Sequence, residues 1–376
     1  MVKIYLDNNA TTPLAPEVIA LLNETMPTVF GNPSSTHHQG QEARALITDA
    51  RDIIAHYFDV RPREVVFTSG ATEALNMVIQ GIFSGNFVGH VISSSVEHSA
   101  VYRTLKYLEE KGLEVTFLEP GTYGAVTPEQ VAEAIRPNTR LIALMAVNNE
   151  TGVKTDITTI AALAECEKIP FLVDAVAQVA KEPMTMLPGI SALVFTGHKI
   201  HATKGVGVVI IRSSLNLEPL IHGGPHEHGR RAGTEDLLGI IGIGKAVELI
   251  DEASHEAVAN LRDYFENALI DQLGDVKING DGPRICNTSN LAFEGASGES
   301  LLAMLDMDGV AASHGSACQS GALKPSRVLL NMGYSKERAA NSLRFSLSRY
   351  TTQKEVDLAV DIIVKAVRRL RAIAKR

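Results

Sequence analysis

Short runs rich in β-branched residues alternate with amphipathic segments over the first two thirds of the chain. The runs predict strands at 64–67, 90–92, 115–118, 141–145, 171–173, 192–195 and 206–210, with helices at 41–58, Ala71–Gly81 and 157–168. Strands that alternate with helices form a mostly parallel sheet covered by helices on both faces. We therefore predict an α/β fold of this kind, with a ligand site beyond the carboxyl ends of the strands.

A second, smaller unit is predicted in the last third of the chain. A helical pattern from about 237 to 273 predicts one long helix that leads to it. Beyond that helix we predict a strand at Thr288–Phe293, a helix at 299–306 and a final amphipathic helix from about Lys354. We therefore expect a large α/β domain at residues 15–255 and a small α+β domain formed by residues 1–14 and 256–376.

Composition excludes several classes of protein. The 376 residues have a net charge of −8 and no long basic run, which argues against a direct nucleic-acid partner. No apolar stretch reaches the roughly 20 residues that span a bilayer, so we expect no membrane association. The three cysteines, Cys166, Cys286 and Cys318, are too sparse for a disulfide framework. We therefore expect a cytoplasmic protein.

Three polar features come directly after predicted strands. Lys199 follows the strand at 192–195, and it could form a Schiff base with an aldehyde cofactor or be a solvated loop residue. The turn at 68–73 opens a helix, whose N–H groups could bind a phosphate or form an ordinary N-terminus. Asp174 ends another apolar run, where a carboxylate could pair with a protonated pyridine nitrogen or cap a helix.

Two more polar residues follow strands of the same predicted sheet. His98 could act as an acid or base against a flat ring, or make a core hydrogen bond. Asn149 could donate to a phenolate oxygen, or form a turn. All five features fall at strand ends on one edge of the sheet, and together they favour a cofactor site.

Cys318 differs from the other two cysteines in its sequence context. It lies among small residues at 313–321, whereas Cys166 is in a helical pattern and Cys286 begins a strand. Small residues predict a loop, from which a thiol with a lowered pKa could attack a substrate sulfur. The alternative for Cys318 is an inert surface thiol.

A histidine-rich segment permits a metal site by composition. His222, His226 and His228, together with Glu227, are residue types that bind zinc or nickel. The segment is rich in glycine and proline and has no recognised metal motif, so a subunit-contact loop is favoured and no metal is predicted.

An ordered set of motifs runs nearly from end to end. They are LDNNATTP at 6–13, GNPSS at 31–35, TSGATE at 68–73, EH at 97–98, VNNETGV at 147–153, VDA at 173–175, GHK at 197–199, RAGTE at 231–235, GSAC at 315–318 and RFS at 344–346. The set resembles the cysteine desulfurases of the NifS/IscS-type group. These are class V aminotransferase-like enzymes of fold type I that use pyridoxal 5′-phosphate (PLP).

The resemblance implies roles for individual residues. Lys199 would bond to PLP and move protons at the substrate carbon, and Asp174 would keep the pyridine nitrogen protonated. His98 would stack on the ring as acid or base, and Asn149 would hold the substrate or the ring oxygen. The implied cofactor-binding set is Lys199, Asp174, Thr72, Ala71, His98, Asn149, Thr196, His198 and Thr234, the last from a neighbouring subunit.

The same resemblance implies the substrate and the partners. Arg344 would bind the carboxylate of L-cysteine, with Asn149 and Asn32 as further substrate ligands, and Cys318 would receive the sulfur as a persulfide. The products would be L-alanine and a sulfur atom for a protein acceptor, such as an iron-sulfur scaffold or a tRNA-thiolation protein. A homodimer is expected.

Two departures from the family pattern keep alternatives open. Residues 201–205 are HATKG where the family has Tyr-Gly-Pro-Lys-Gly, and Ala177 stands where a glutamine donor is usual, with Gln178 one place later. Independently of these departures, one alternative is a PLP enzyme of the same fold with another substrate, such as a selenocysteine lyase or another C–S lyase. The other is a non-catalytic sulfur-assembly partner that has kept the fold.

Overall fold

Strands and helices alternate along most of the chain, and the computed structural model describes residues 3–251, 253–315 and 325–374. The strands are β1 Ile4–Tyr5, β2 Val65–Thr68, β3 His90–Ser94, β4 Glu114–Leu118, β5 Thr139–Met145, β6 Phe171–Asp174, β7 Ala192–Thr196, β8 Gly207–Ile211, β9 Val276–Ile278, β10 Thr288–Phe293, β11 Val310–Ala311 and β12 Ser342–Ser346. The helices are α1 Pro16–Thr25, α2 His38–Tyr57, α3 Ala71–Gly81, α4 Ser99–Glu109, α5 Pro128–Ala134, α6 Ile157–Glu167, α7 Leu237–Glu248, α8 Ser254–Leu273, α9 Gly298–Met307, α10 Arg327–Asn331, α11 Lys336–Ala340 and α12 Gln353–Ala374.

The largest sheet has seven strands in the order β2-β8-β7-β6-β5-β3-β4. Strand β8 runs antiparallel to both of its neighbours, and the other pairs are parallel. The predicted mostly parallel sheet is therefore confirmed, with one antiparallel strand near an edge. Successive parallel strands need crossover helices, and these helices cover the sheet.

Both faces of this sheet are buried. Neighbouring residues on one strand enter different cores: Phe67 packs with α2 and α7 on one face, whereas Val66 packs with α3 and α4 on the other. Side chains on a strand alternate between faces, so a strand covered on both sides must be apolar at consecutive positions. This explains the unbroken apolar runs in the sequence.

The predicted single helix at 237–273 is wrong, because the chain forms two helices there. Helix α7 ends at Glu248, and α8 begins at Ser254. Between them the Asp251 carboxylate accepts from the N–H of Ala253 (3.0 Å), and the Ser254 hydroxyl donates to the Asp251 carbonyl (2.7 Å). This local turn competes with the helical hydrogen bonds and lets the two helices pack in different cores.

A separate core lies in the C-terminal part of the chain. Strands β9, β10 and β12 form an antiparallel sheet in the order β12-β10-β9, and α8, α9 and α12 pack around it. Phe345 contacts Phe265 and Phe293 edge to face, at ring-centroid distances of 5.1 and 6.3 Å. The N-terminal segment joins this core, because β1 pairs with β11 and Leu6 is fully buried there. Within the described ranges, every helix is too short or too polar to cross a bilayer.

The histidine-rich segment is fixed to the large sheet by Glu227. Glu227 has a left-handed backbone, with φ 46°, and its side chain is 2% exposed. Its carboxylate accepts two hydrogen bonds from Arg51 on α2 (2.7 and 2.9 Å) and one from the N–H of Phe67 on β2 (3.0 Å). His226 faces Glu235 at 3.1 Å. In the described residues no cluster of three or more His, Cys, Asp or Glu side chains could hold a metal ion.

We expect Arg51→Met to destabilise the protein by about 3 kcal/mol, because it leaves the Glu227 carboxylate buried without its cation. Lys245 forms an exposed pair with Glu248, and Lys245→Met is a control that should cost less than about 1 kcal/mol. The free energy of unfolding in urea measures both. Equal losses in the two variants would contradict this role for Glu227.

Candidate active site

The loops that follow the strands of the large sheet enclose one cavity of about 550 Å³. Asp174 ends β6, and Lys199 lies three residues beyond the end of β7. His98 and Asn149 each lie four residues beyond a strand, after β3 and β5. The predicted site residues that line the cavity are Ala71, Thr72, His98, Asn149, Asp174, Thr196, His198, Lys199 and Arg344.

One end of the cavity is the N-terminus of α3. The N-cap residue Gly70 provides no side-chain hydrogen bond, so the first N–H groups of the helix are not capped from there. Strand β8 crosses close by: a Cβ at Gly207 would lie 2.5 Å from the carbonyl carbon of Gly70 and 2.9 Å from the nitrogen of Ala71. A glycine at 207 therefore leaves the backbone donors of this helix accessible, which suits an anion.

Lys199 ends a short 3₁₀ turn, Gly197–Lys199, that leaves β7 sharply. A Cβ at Gly197 would lie 2.8 Å from Val206, so only glycine fits in the turn. The Lys199 Nζ donates to the carbonyl oxygens of Asn9 and Ala10, the latter at 2.9 Å. The N-terminal segment therefore forms the wall against which the lysine amine lies.

Asp174 is buried, and its Oδ1 accepts from the N–H of Val176 at 3.1 Å. Burial raises the pKa of Asp174 to about 6, against the opposing effects of this hydrogen bond and of the positive Lys199. A carboxylate in such a place is stabilised by a cation that enters the cavity. Ala177 lines the cavity, whereas the Gln178 amide points away and donates to the carbonyl of Pro183 (2.8 Å).

The two histidines of the cavity are held in the neutral form. The Nδ1 of His98 accepts from the N–H of Ala100 (3.2 Å), which puts the ring proton on Nε2. Burial, and then the charge of Lys199, lower the pKa of His98 to about 4 and that of His198 to about 4. Near neutral pH both rings can therefore donate or accept a hydrogen bond without carrying charge.

Glu97 is a buried carboxyl directly before His98. The Ser94 hydroxyl donates to its Oε1 (2.6 Å), and its Oε2 is without a hydrogen-bond partner among the described residues. Burial raises the pKa of Glu97 to about 8, and the nearby Asp174 acts in the same direction. Arg327 of α10 donates to the backbone carbonyls of Ser95 and Glu97. The loop that carries His98 is thus fixed from the C-terminal part of the chain.

Arg344 enters the cavity from β12 of the small sheet. Its side chain is 2% exposed, its Nη2 lies 2.8 Å from the Asp7 carboxylate, and its Nη1 donates to the carbonyl of Asn149 (2.9 Å). Its Nε and the amide oxygen of Asn149 are buried without hydrogen-bond partners in the described part of the chain. Two buried polar groups of residues that line the cavity are therefore left without a hydrogen bond among the described residues.

This arrangement matches a known family. The family model described as aminotransferase class-V matches residues 4–359. The chain belongs to this family. A curated relative from Dictyoglomus turgidum, cysteine desulfurase IscS, is 40% identical over 99% of this chain and 96% of its own length.

Solved structures give the same result. A NifS-like protein superimposes with a TM-score of 0.90 at 30% identity, covering 97% of this chain and 99% of its own. The structure of SspA in complex with cysteine superimposes with a TM-score of 0.84 at 35% identity, covering 93% of this chain and all of its own. The fold is therefore that of NifS-like class V aminotransferases.

Three predicted site residues of this class V aminotransferase are not in the cavity lining. Asn32 and Thr234 are exposed, and neither lines the cavity of the single chain. Cys318 lies outside the described residues, between Gly315 and Pro325. Thr196 does line the cavity, but its hydroxyl donates to the carbonyl of Val206 (2.8 Å).

The unusual turn after Lys199 is built around His201. Its backbone is left-handed (φ 69°), and its N–H donates to the Thr12 hydroxyl (2.8 Å). The ring Nδ1 is 2.9 Å from the carbonyl of Pro13, and the ring packs edge to face on Tyr350. Burial lowers the pKa of His201 to about 4. His201 thus joins the lysine turn to the N-terminal segment and to the loop after β12.

Sequence reasoning missed two lysines of the cavity, Lys181 and Lys204. Lys181 lies seven residues after Asp174 and follows the buried Val179. A lysine directly after an apolar stretch was a usable signal, since lysine is rarely buried without a function or a partner. Asn9 and Ala10 were noted within a motif, but no contact with Lys199 was predicted for them.

We expect Glu97→Gln to gain stability relative to wild type as the pH rises from about 5 to 8. An acid whose pKa is raised from 4.5 to about 8 contributes stability below pH 4.5, and this is progressively lost up to about pH 8. The glutamine does not titrate. The difference in melting temperature between Glu97→Gln and wild-type apoprotein, followed from about pH 5 to 8, measures this effect.

Glu64→Gln is the control for this experiment. Burial acts to raise the pKa of Glu64, but hydrogen bonds from Arg61 and Ser213 outweigh it and lower this pKa to about 2. Glu64 is therefore ionised at both ends of the range, and its variant should lose the same stability throughout. If the stability of Glu97→Gln relative to wild type is as independent of pH as that of Glu64→Gln, Glu97 is not protonated in the folded protein.

Proposed function

We propose that this chain is a PLP-dependent cysteine desulfurase, which converts L-cysteine to L-alanine and leaves the sulfur as a persulfide on Cys318. One observation carries the proposal: Lys199 and Asp174 line the same cavity as the open N-terminus of α3. The curated relative at 40% identity over nearly the whole chain is itself a cysteine desulfurase.

The residues present fit PLP. The α3 N-terminus, with Thr72 and His198, provides donors for a phosphate, and the cavity volume of about 550 Å³ suits a ligand of this size. Asp174 is a buried carboxylate that a protonated ring nitrogen would pair with. The unpartnered amide oxygen of Asn149 marks a further polar position. This retained set supports an enzyme over a non-catalytic protein of the same fold.

PLP, when bound, withdraws electrons from the α-carbon of an amino acid. Lys199 would hold the cofactor covalently and then, as a free amine, carry protons at the substrate carbon. Asp174 would keep the ring nitrogen protonated by its negative charge. His98, neutral and with its proton on Nε2, would lie on the ring and exchange protons by hydrogen bonding.

Arg344 would orient the substrate carboxylate. Its Nη groups contact Asp7 and the Asn149 carbonyl, while its Nε is free of hydrogen bonds within the described ranges. A guanidinium held on two sides has a fixed orientation, so its three remaining N–H groups point in fixed directions. The carboxylate of L-cysteine would therefore enter with one orientation.

The sulfur step requires a thiolate. The thiolate of Cys318 would attack the substrate sulfur, so that an S–S bond forms while the C–S bond breaks and its electron pair stays with carbon. Protonation of that carbon gives L-alanine, and the atoms balance as cysteine plus thiol to alanine plus persulfide. Cys286 is unsuited to this step, because burial raises its pKa to about 12.

The proposed function also includes an oligomeric state and a protein that receives the sulfur. We propose a cytoplasmic homodimer in which the exposed Thr234 completes the phosphate site of the partner subunit. The two separate cores support a large domain at 15–255 and a small one at 1–14 and 256–376. The sulfur acceptor would be a protein thiol, as in iron-sulfur cluster assembly or tRNA thiolation.

We expect wild-type protein with PLP, L-cysteine and a reductant to release alanine and sulfide in equal amounts. Cys318→Ala should lose both products, because the attacking thiolate is missing, whereas Cys166→Ala should keep them, since Cys166 is an exposed thiol on α6. Full sulfide release from Cys318→Ala would favour a different C–S lyase.

We also expect purified protein to show a visible absorbance band with PLP that is absent in Lys199→Ala, because the covalent link needs the lysine amine. Lys277→Ala is the matched control, since Lys277 is an exposed lysine on β9. A band of equal intensity in Lys199→Ala would contradict Lys199 as the attachment point.

A further inference from the structure

Helix α10 is bound to the loop that carries His98, and the chemistry described above does not use this contact. Arg327, the first residue of α10, donates to the backbone carbonyls of Ser95 and Glu97. Asn331, one turn later, donates to the same Ser95 carbonyl (2.7 Å). Residues four apart lie on one face of a helix, so a single face of α10 covers the loop at 95–98.

The contact also has an aromatic and an apolar part. The Arg327 guanidinium lies 4.1 Å from the ring centroid of Tyr102 on α4, the helix that has His98 as its N-cap. Val96, in the middle of the loop, belongs to an apolar cluster whose other buried members all follow Arg327 in the chain. They are Val328, Leu329, Met332, Tyr334 and Ala339. The loop is therefore packed into a core that α10 and the residues after it provide.

The carbonyl of Glu97 belongs to the peptide bond that joins Glu97 to His98. Because a peptide bond is planar, a donor that holds this carbonyl also fixes the direction of the His98 backbone. The ring of His98 is held separately, by the N–H of Ala100 (3.2 Å). Arg327 therefore contacts the backbone to which the imidazole is attached, and through Tyr102 it contacts the helix that holds the ring.

The same helix is joined to the loop after β5. The hydroxyl of Ser326, the N-cap of α10, donates to the carboxylate of Glu150, which directly follows Asn149. From that loop the amide of Asn148 donates to the carbonyl of Val96 (3.2 Å). The loops after β3 and β5 and the start of α10 are thus connected by hydrogen bonds on all three sides.

We propose that Arg327 is a positioning residue for His98, which sets the place of the imidazole in the cavity by holding the Glu97–His98 peptide and Tyr102. Arg327 is not among the residues that line the cavity, so it acts through His98 and not on a ligand. This inference rests on the proposed function, because it concerns the exchange of protons by His98.

Arg327→Met keeps a side chain of similar length but removes every hydrogen-bond donor. We expect kcat for alanine formation, per molecule of bound PLP, to fall about tenfold, because a displaced imidazole exchanges protons less well. The KM for L-cysteine should stay within about twofold of the wild-type value, since Arg344 is held by Asp7 and the carbonyl of Asn149.

A double-mutant cycle with His98→Ala tests whether this loss passes through His98. If Arg327 acts by positioning the imidazole, Arg327→Met should change kcat by a factor near one when the imidazole is absent. A loss of about tenfold in the His98→Ala background as well would overturn the inference.

Visible circular dichroism of bound PLP gives a second readout that needs no turnover. The signal depends on the groups that surround the cofactor, so Arg327→Met should alter it in the wild-type background and leave it unchanged in His98→Ala. This readout decides the question if His98→Ala has no measurable turnover. Equal changes in both backgrounds, or no change in either, would overturn the inference.

Arg338→Met is the matched control. Arg338 on α11 also stacks on a tyrosine, with its guanidinium 4.1 Å from the ring centroid of Tyr334. It also donates twice, to the side chain of Asn279 (2.7 Å) and to the carbonyl of Ile278 (2.8 Å), but neither partner belongs to the His98 loop. We expect this variant to unfold at lower urea concentration and to keep the wild-type kcat. A tenfold loss of kcat in Arg338→Met would overturn a specific role for Arg327.

Arg327→Lys decides the question if Arg327→Met does not fold, which its melting temperature establishes. Lysine has one ammonium group in place of the planar guanidinium that reaches two carbonyls. Its kcat should therefore fall less than that of Arg327→Met, and only where His98 is present. A wild-type kcat, or a loss that persists in His98→Ala, would overturn the inference.

The outcomes separate this inference from the proposed function. A wild-type protein that forms no alanine from L-cysteine with PLP contradicts the function itself. Alanine formation that depends on His98 but not on Arg327 leaves the function standing and removes the role of Arg327.

Discussion

Burial of both faces of the seven-stranded sheet is the constraint on which the rest of the structure depends. Interior strands have apolar residues at consecutive positions, because on β7, for example, Leu193 and Val194 enter opposite cores. Polar chemistry is therefore confined to the strand ends. Since the parallel strands share one carboxyl edge, their polar end residues converge there, and the cavity forms at that edge.

Convergence at one edge also concentrates buried charge. Asp174, Glu97 and Lys181 are all buried. Burial raises the pKa of the two acids and lowers that of the lysine, and in each case this favours the uncharged form. Burial is the largest cause of each shift, and neighbouring charges also contribute: Asp174 acts on Glu97, and Lys199 acts on Asp174 and Lys181. A bound cofactor with a cationic ring and an anionic phosphate would add charges of both signs to this group.

Much of this could be predicted from sequence, because strand periodicity and strand-end residues are local signals. The broken helix at 237–273 was missed because the turn at Asp251 interrupts an apolar pattern that continues on both sides. Lys181 was missed because its burial depends on the packing of two turns that are distant in sequence. Sequence shows Gln178 one place after Ala177, but only the structure shows that its amide donates to Pro183 and does not line the cavity.

The wall behind the lysine amine has a consequence for the order of synthesis. Asn9, whose carbonyl receives the Lys199 amine, is held through its N–H by the hydroxyl of Ser346, which is 337 residues away. Leu6 is likewise buried in a core formed mostly by residues between 258 and 367. A nascent chain that already contains Lys199 therefore lacks this wall until translation passes Ser346. Assembly of the cofactor pocket thus waits for a residue that is translated almost 150 positions after the lysine it serves, even though the wall residues themselves are made before that lysine.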